Sequence, residues 1–337
     1  MIFRQKSPLQ IIFLASCAVF SGLHSWQGGV ASAAAPGQAK VTERVLSAPT
    51  EATSLETASL AVTGLGVFPS RLLVLPARNP GLIFDLAFHA GKTTRLESFG
   101  PLVSQQRLNV VQDPADWDLV GADLSGGRIL LFEAITSSMI EADPSTGKET
   151  FRRSVPWDLI KPPADRGGEA THPETAALRQ AFKRAWLATS GLRISGMARM
   201  PAAWHAGAQV NYLLATRIAG FPLVQMACNE AEPSSCMIVR KCNLEGAQDL
   251  QPSDITGIGV VASQRLVVVG ERQTKRLASF KFSSCFHLPR VATYVLPAQL
   301  KTLTNLTIDA EERLWLTTAR PDDYLNASVY FWSKGAW

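Results

Sequence analysis

The stretch DITGIGVVASQRLVVVGE, residues 254–271, decides the architecture. Asp254 to Val261 alternates, a small turn follows, and Arg265 to Glu271 then carries the unbroken apolar run Leu266-Val267-Val268-Val269. Alternation at a period of two marks a strand with two unlike faces. A short β-branched run between turn residues marks a strand covered on both faces. A strand covered on both faces must lie between two sheets, so the couplet predicts sheets packed in series. The couplet recurs along the chain: Asp118 to Asp123 with Arg128 to Glu133, Arg193 to Met200 with Val210 to Ile218, and Leu306 to Ala310 with Arg313 to Thr317. Gly64 to Phe68 with Arg71 to Leu75 repeats it more loosely.

One or two further strands follow each couplet, as in Ser138 to Asp143 and Glu149 to Arg153 around the turn Pro144-Ser145-Thr146-Gly147. Four short antiparallel strands per repeat, at a period of about 45 to 55 residues, predict an all-β fold, a β-propeller of five or six blades. The alternative is a pair of stacked β-sandwiches. The last group lacks a clear fourth strand, so a strand near Val41 to Leu46 is expected to complete it and join the two ends of the ring. One stretch breaks the β pattern. Thr171 and Glu174 form a capping box around Pro173, Gly191 stands where a helix stops, and Leu178, Phe182 and Trp186 fall on one stripe. The spacing predicts a helical insertion within residues 158–191, packed on the ring through that stripe or serving as a lid over a ligand site.

The first residues have the three parts of an export signal: Arg4 and Lys6, an apolar run from Leu9 to Phe20, and small residues around Ala31, Ser32 and Ala33. This predicts a signal segment over residues 1–33, a flexible linker over 34–40 and the propeller over 41–337. A second reading stands beside it. Leu14-Ala15-Ser16-Cys17 has the form of a lipoprotein signal, in which Cys17 is lipidated and anchors the mature chain to a membrane. Either cut removes Arg4 and Lys6 and lowers the formal charge from +5 to about +3. Basic residues are scattered, without the basic run and interleaved aromatics of a nucleic-acid surface. Expected partners are therefore a protein or a small-molecule ligand, with a membrane engaged only through a lipid anchor, in a secreted or periplasmic setting.

Cysteine use fits an oxidising compartment. Beyond Cys17 there are four cysteines, and the favoured pairing is Cys228 with Cys236 across a loop carrying Pro233, and Cys242 with Cys285. Free buried thiols are the alternative. The chain has no G-x-S-x-G elbow, and Gly91-Lys92-Thr93 lacks the glycine spacing of a phosphate loop. His89, His172, His205 and His287 never pair at metal-ligand spacing. Asn305-Leu306-Thr307 and Asn326-Ala327-Ser328 match glycosylation acceptors. The remaining chemistry is positional. Asp118 or Asp123, Asp254 and Asp309 sit near strand ends that would surround an axial channel, where hard oxygen ligands could hold Ca²⁺. Aspartates at strand ends also build turns.

Leu306-Thr307-Ile308-Asp309 followed by Arg313-Leu314-Trp315-Leu316 resembles the blade phrase of the gluconolactonase, strictosidine-synthase and royal-jelly/yellow propellers. That phrase is an apolar strand, an aspartate, a small turn and a Leu-Trp strand, and Ile129 to Asp143 and Asp254 to Val269 echo it. The resemblance implies a propeller and transfers no catalytic residue. Where the family has a glycine before its Leu-Trp strand, this chain has Glu311-Glu312-Arg313. Two functions follow as expectations: a binding or protein-interaction module outside the cytoplasm or, alternatively, a calcium-dependent lactonase-like or esterase-like hydrolase working at the channel mouth.

Overall fold

In a computed structural model, the structure describes residues 41–46, 51–55, 62–67, 71–76, 82–87, 104–107, 119–123, 129–133, 138–142, 149–154, 173–189, 194–205, 209–229, 236–298, 300, 302–319 and 327–333. The expected signal segment, the linker, Cys17, His89, His172 and Asn326 lie outside these residues.

Five sheets account for the described strands. The first is β3 (Val62–Val67), β4 (Arg71–Pro76), β5 (Leu82–Ala87) and β6 (Ser104–Arg107). The second is β7 (Leu119–Asp123), β8 (Ile129–Glu133), β9 (Ser138–Ala142) and β10 (Glu149–Ser154). The third is β11 (Ile194–Arg199), β12 (Val210–Thr216), β13 (Leu223–Cys228) and β14 (Met237–Lys241). The fourth is β16 (Ile255–Val261), β17 (Leu266–Glu271), β18 (Arg276–Lys281) and β19 (Leu288–Val295), and the fifth contains β20 (Thr302–Ile308), β21 (Leu314–Ala319) and β22 (Ala327–Trp332). Within each sheet, successive strands pair antiparallel. The first strand of each sheet lies against the first strand of the next: β3 against β7, β7 against β11, β11 against β16, β16 against β20, and β20 back against β3. A closed circuit of inner strands, each starting an antiparallel sheet, is the arrangement of a β-propeller.

At their glycines the inner strands approach so closely that no side chain would fit there. A Cβ added at Gly196 would stand 2.9 Å from the Cα of Gly257, and one at Gly257 would stand 2.6 Å from the backbone nitrogen of Leu306. Glycine lets backbone pack on backbone here. The same contacts fix direction. Gly257 abuts Leu306 and Gly259 abuts Ile308, so β16 and β20 run the same way. Each inner strand also shifts register near its start, at Val62/Gly64, Leu119/Ala122, Ile194/Gly196, Ile255/Gly257 and Leu303/Asn305. A bulge bends a strand and raises its twist, and five at one position turn every sheet outward from the hub alike.

The apolar runs behave as a two-sided strand requires. In β17, Val267 and Val269 join the core shared with the third sheet, while Leu266 and Val268 join the core shared with the fifth. In β12, Leu213 and Ala215 face the fourth sheet's core, and Tyr212 and Leu214 face that of the second. Each such aliphatic contributes roughly 1.5–3 kcal/mol relative to exposure.

Ring closure differs from expectation in its strand. Thr42–Val45 does form a strand, β1, but it pairs parallel with β19 on the rim of the fourth sheet. The last sheet is completed by β2 (Glu51–Leu55), antiparallel to β22. The reason lies in the faces. All four β1 side chains are exposed, which suits a strand added to an outer edge, and Leu46 beside it is its buried anchor. The helix α1 (Pro173–Ala188) falls inside the expected insertion. Phe182 and Trp186 are buried with Phe132 and Met139 of the second sheet and Ile238 of the third, and Phe182 meets Phe221 edge-on at 5.2 Å. The stripe is therefore a packing surface. No described helix is long and apolar enough to cross a membrane.

Candidate functional site

A covalently constrained surface lies on the rim where the third and fourth sheets meet. Both expected disulfides are present, Cys228–Cys236 and Cys242–Cys285. The second joins the end of β14 to the turn before β19 and so bridges two sheets covalently. The chain beyond Cys242 is then drawn along the fourth sheet. Asn243 N donates to Cys285 O at 2.7 Å, Leu288 N donates to Asn243 O at 3.1 Å, and β15 (Leu244–Glu245) runs parallel to the start of β19.

The turn itself is tight. His287 N donates to Ser284 O, Ser283 Oγ donates to His287 O at 2.8 Å, and Phe286 N donates to Ser284 Oγ at 3.3 Å. At its tip Cys285 is tied inward and buried, so its neighbour Phe286 is turned outward and is 67% exposed. The guanidinium of Arg240 lies over the Phe286 ring at 4.9 Å, a cation–π contact worth about 0.5–1 kcal/mol on a surface. His287 Nδ1 meets the Glu245 carboxylate on the same rim. Phe286 is not alone. The large hydrophobics exposed among the described residues are Val41, Val45, Leu187, Phe286 and Val291, and all but Leu187 lie on or beside β1, β19 and this turn.

The acids expected at the channel mouth are placed otherwise. Asp309 is a hub of the β20–β21 turn. Its Oδ1 accepts from Glu311 N at 3.0 Å and Arg313 N at 2.9 Å, and its Oδ2 accepts from Arg313 Nε at 2.6 Å and Trp315 Nε1 at 2.8 Å. Four donors occupy the lone pairs a cation would need, and one of them is the indole of Trp315 on the following strand. Asp254 Oδ1 accepts from Gln273 N at 2.6 Å, stapling the β17–β18 turn to the start of β16. Because inner strands run in one direction, Asp254 before β16 and Asp309 after β20 lie at opposite ends of the hub, about 20 Å apart by strand rise. The structure does not bring them together. Asp123 ends β7 and Asp118 lies outside the described residues, among which no group of three metal-ligating side chains converges. Asn305 is buried in β20 and so is not an accessible glycosylation acceptor.

Glu312 stands at φ 61, in the left-handed region that favours glycine. Its carboxylate accepts from Ser263 N and Ser263 Oγ, each at 2.6 Å, and so bolts the fifth sheet to the fourth. Those bonds offset a backbone strain of about 1–2 kcal/mol.

A buried ionic cluster sits behind the rim. Arg290 of β19 donates through Nη1 to Asp249 Oδ1 at 2.5 Å and Gly246 O at 3.3 Å, and its Nη2 lies 3.5 Å from Glu271 Oε1. Thr274 Oγ1 donates to Glu271 Oε2 at 2.6 Å. Burial raises the Glu271 pKa above the usual carboxylate value, with Asp249 and Asp254 adding to the rise and Thr274 and Arg290 opposing it. At the other end of the hub, burial and then the Arg199 charge lower the pKa of His205, whose Nδ1 is buried without a partner.

Sequence reasoning passed over Glu271, Arg290, Glu312 and Phe286. Alternation in Leu288-Pro289-Arg290-Val291-Ala292 does put Arg290 on the inward face with Leu288 and Ala292, a signal that was there to use. Phe286 follows a disulfide cysteine in a tight turn, which forces it outward.

No protein-family model matches the chain, and no curated protein matches it. Among solved structures, glutaminyl cyclase from Myxococcus xanthus is similar at 9% identity and a TM-score of 0.47, covering 87% of this chain and 98% of that one. The Cps50 (Swd1) β-propeller domain of Myceliophteria thermophila aligns at 9% identity and a TM-score of 0.39, over 80% and 83% of the two chains. A putative 6-phosphogluconolactonase from Bacteroides uniformis aligns at 10% identity and 0.38, over 79% and 68%. Likeness at this level places no residue and transfers no activity.

Proposed function

We propose that the chain is an exported five-bladed β-propeller that binds a protein partner through the stapled rim of its fourth sheet. The observation that carries this is Phe286: a large apolar side chain held in water by a turn that a disulfide and three hydrogen bonds make rigid. Exposing an aromatic forfeits roughly 1.5–3 kcal/mol of burial. Fixing it in place removes the ordering entropy that binding would otherwise have to overcome. Aromatic and Arg side chains are the usual anchors of protein interfaces, and Arg240 stands beside this one. Val41, Val45 and Val291 extend the apolar surface along the same rim. The two disulfides support an oxidising compartment.

The test places a photo-crosslinking amino acid at position 286 and, as a control, at Leu187, which is equally exposed on the helix. A single crosslinked species from position 286, lost when Arg240 is replaced by Ala, is the expected result. Equal products from both positions would overturn the proposal. So would saturable calcium binding by the metal-stripped chain, which would restore the lactonase-like reading.

A further inference from the structure

We propose that Arg290, Glu271 and Asp249 form an acid-tightened clamp on the connector between the third and fourth sheets, residues 242–254. The geometry is a single guanidinium shared by two carboxylates of unlike exposure. Arg290 and Glu271 have side chains only 4% and 2% exposed, while the Asp249 side chain is 50% exposed. Arginine cannot shed its charge, so the buried cation must be answered by whichever carboxylates are ionised. Through Nη1 it holds two points of the connector, Asp249 and the Gly246 carbonyl. Through Nη2 it is drawn the other way, toward Glu271 at the end of β17.

The charged and polar groups facing Glu271 come from every element around it. They are Arg290 of β19, Asp249 of the connector, Asp254 before β16 and Thr274 of the β17–β18 turn, with Arg276 of β18 4.0 Å from Asp249. Ionised Glu271 repels Asp249 and competes with it for Arg290. Protonated Glu271 does neither, and the guanidinium then serves the connector alone. The sign follows from linkage. A carboxyl whose folded pKa is raised by burial adds stability that is present at low pH and is lost as pH rises through the folded value. The clamp is therefore tightest in mild acid and loosens as pH rises toward and past neutral. The connector begins at Cys242 and carries Glu245 of the exposed rim, so acid would firm one side of that surface. The clamp stands whether or not the rim binds a partner.

Amide hydrogen exchange on the full chain tests it, read over residues 243–250 at the low and high ends of a pH series that starts in the ordinary carboxylate range and runs above neutral, with the intrinsic rate difference removed. Protection should be severalfold greater at the lower pH. Glu271→Gln should show the same protection at both values. Equal protection in the unsubstituted chain, or a difference that survives in Glu271→Gln, would overturn the clamp. Should Glu271→Gln fail to fold, the half-exposed Asp249→Asn decides: it removes the connector's grip, so protection should be low at both pH values. A pH difference retained in Asp249→Asn would overturn the clamp equally.

Discussion

The junction between the third and fourth sheets and that between the fourth and fifth are alike at the hub and unlike at the rim. At the hub both are backbone against backbone, Gly196 on Gly257 and Gly257 on Leu306. Further out, the first junction is closed by the Cys242–Cys285 bond and by Trp204 stacked on Phe282 at 4.7 Å. The second is held by Glu312 on Ser263 and by Lys275 Nζ donating to Leu300 O at 2.9 Å. One rim is covalent and the other is polar and reversible. The repeat thus dictates how blades meet at the axis and leaves each pair to find its own outer fastening. The exposed aromatic is found where the fastening is covalent.

Four measurements would break or sharpen that contrast. Replacing Cys242 and Cys285 together by Ser should cost about 4 kcal/mol in chemical denaturation, from the entropy regained by the unfolded loop, against about 2.5 kcal/mol for the shorter Cys228–Cys236 loop. Equal losses would remove the special status of the inter-sheet staple. Next comes Gly257→Ala, which drives a methyl into the Leu306 backbone and should cost about 3 kcal/mol. A cost near that of an ordinary strand glycine would mean that the hub is looser than its geometry.

Glu312 offers a finer test on the polar side. Glu312→Ala should cost about 2 kcal/mol, because it loses two charge-assisted bonds and keeps the left-handed backbone. Glu312→Gly should cost about 1 kcal/mol less, because the strain goes with the side chain. Alanine milder than glycine would contradict the conformational account. Smallest of all, Phe286→Ala should change stability by no more than about 0.5 kcal/mol, since the ring is already in water. A larger loss would make Phe286 a structural residue and weaken its role as a binding anchor.

Legibility in the sequence follows from the range of the interactions. Strands β7 to β10, the β16–β17 couplet and the helix are local patterns, and residues 118–153, 254–271 and 171–190 declared them by period, turn and cap. The disulfide pairing was legible because a short loop and a parity constraint left few choices. What stayed hidden depends on residues far apart. Nothing in Thr42–Val45 distinguishes a strand added to β19 from one paired with β22, and Glu51–Leu55, which does close the ring, has no distinctive alternation. The roles of Gly196 and Gly257 appear only when a neighbouring backbone fills the space. Asp309 suited a turn and could also suit a cation, and the four donors on its carboxylate include Trp315, six residues on.

The pairing of β2 with β22 carries a consequence in time. Glu51 lies opposite Phe331, so the strand made among the first waits for a partner made among the last. Sheets one to three can each form from contiguous chain as it emerges, but the ring cannot shut until β20 to β22 arrive. Contacts so distant in sequence are slow to form, and until they do, β20 to β22 present an unpaired outer edge of the kind that invites aggregation.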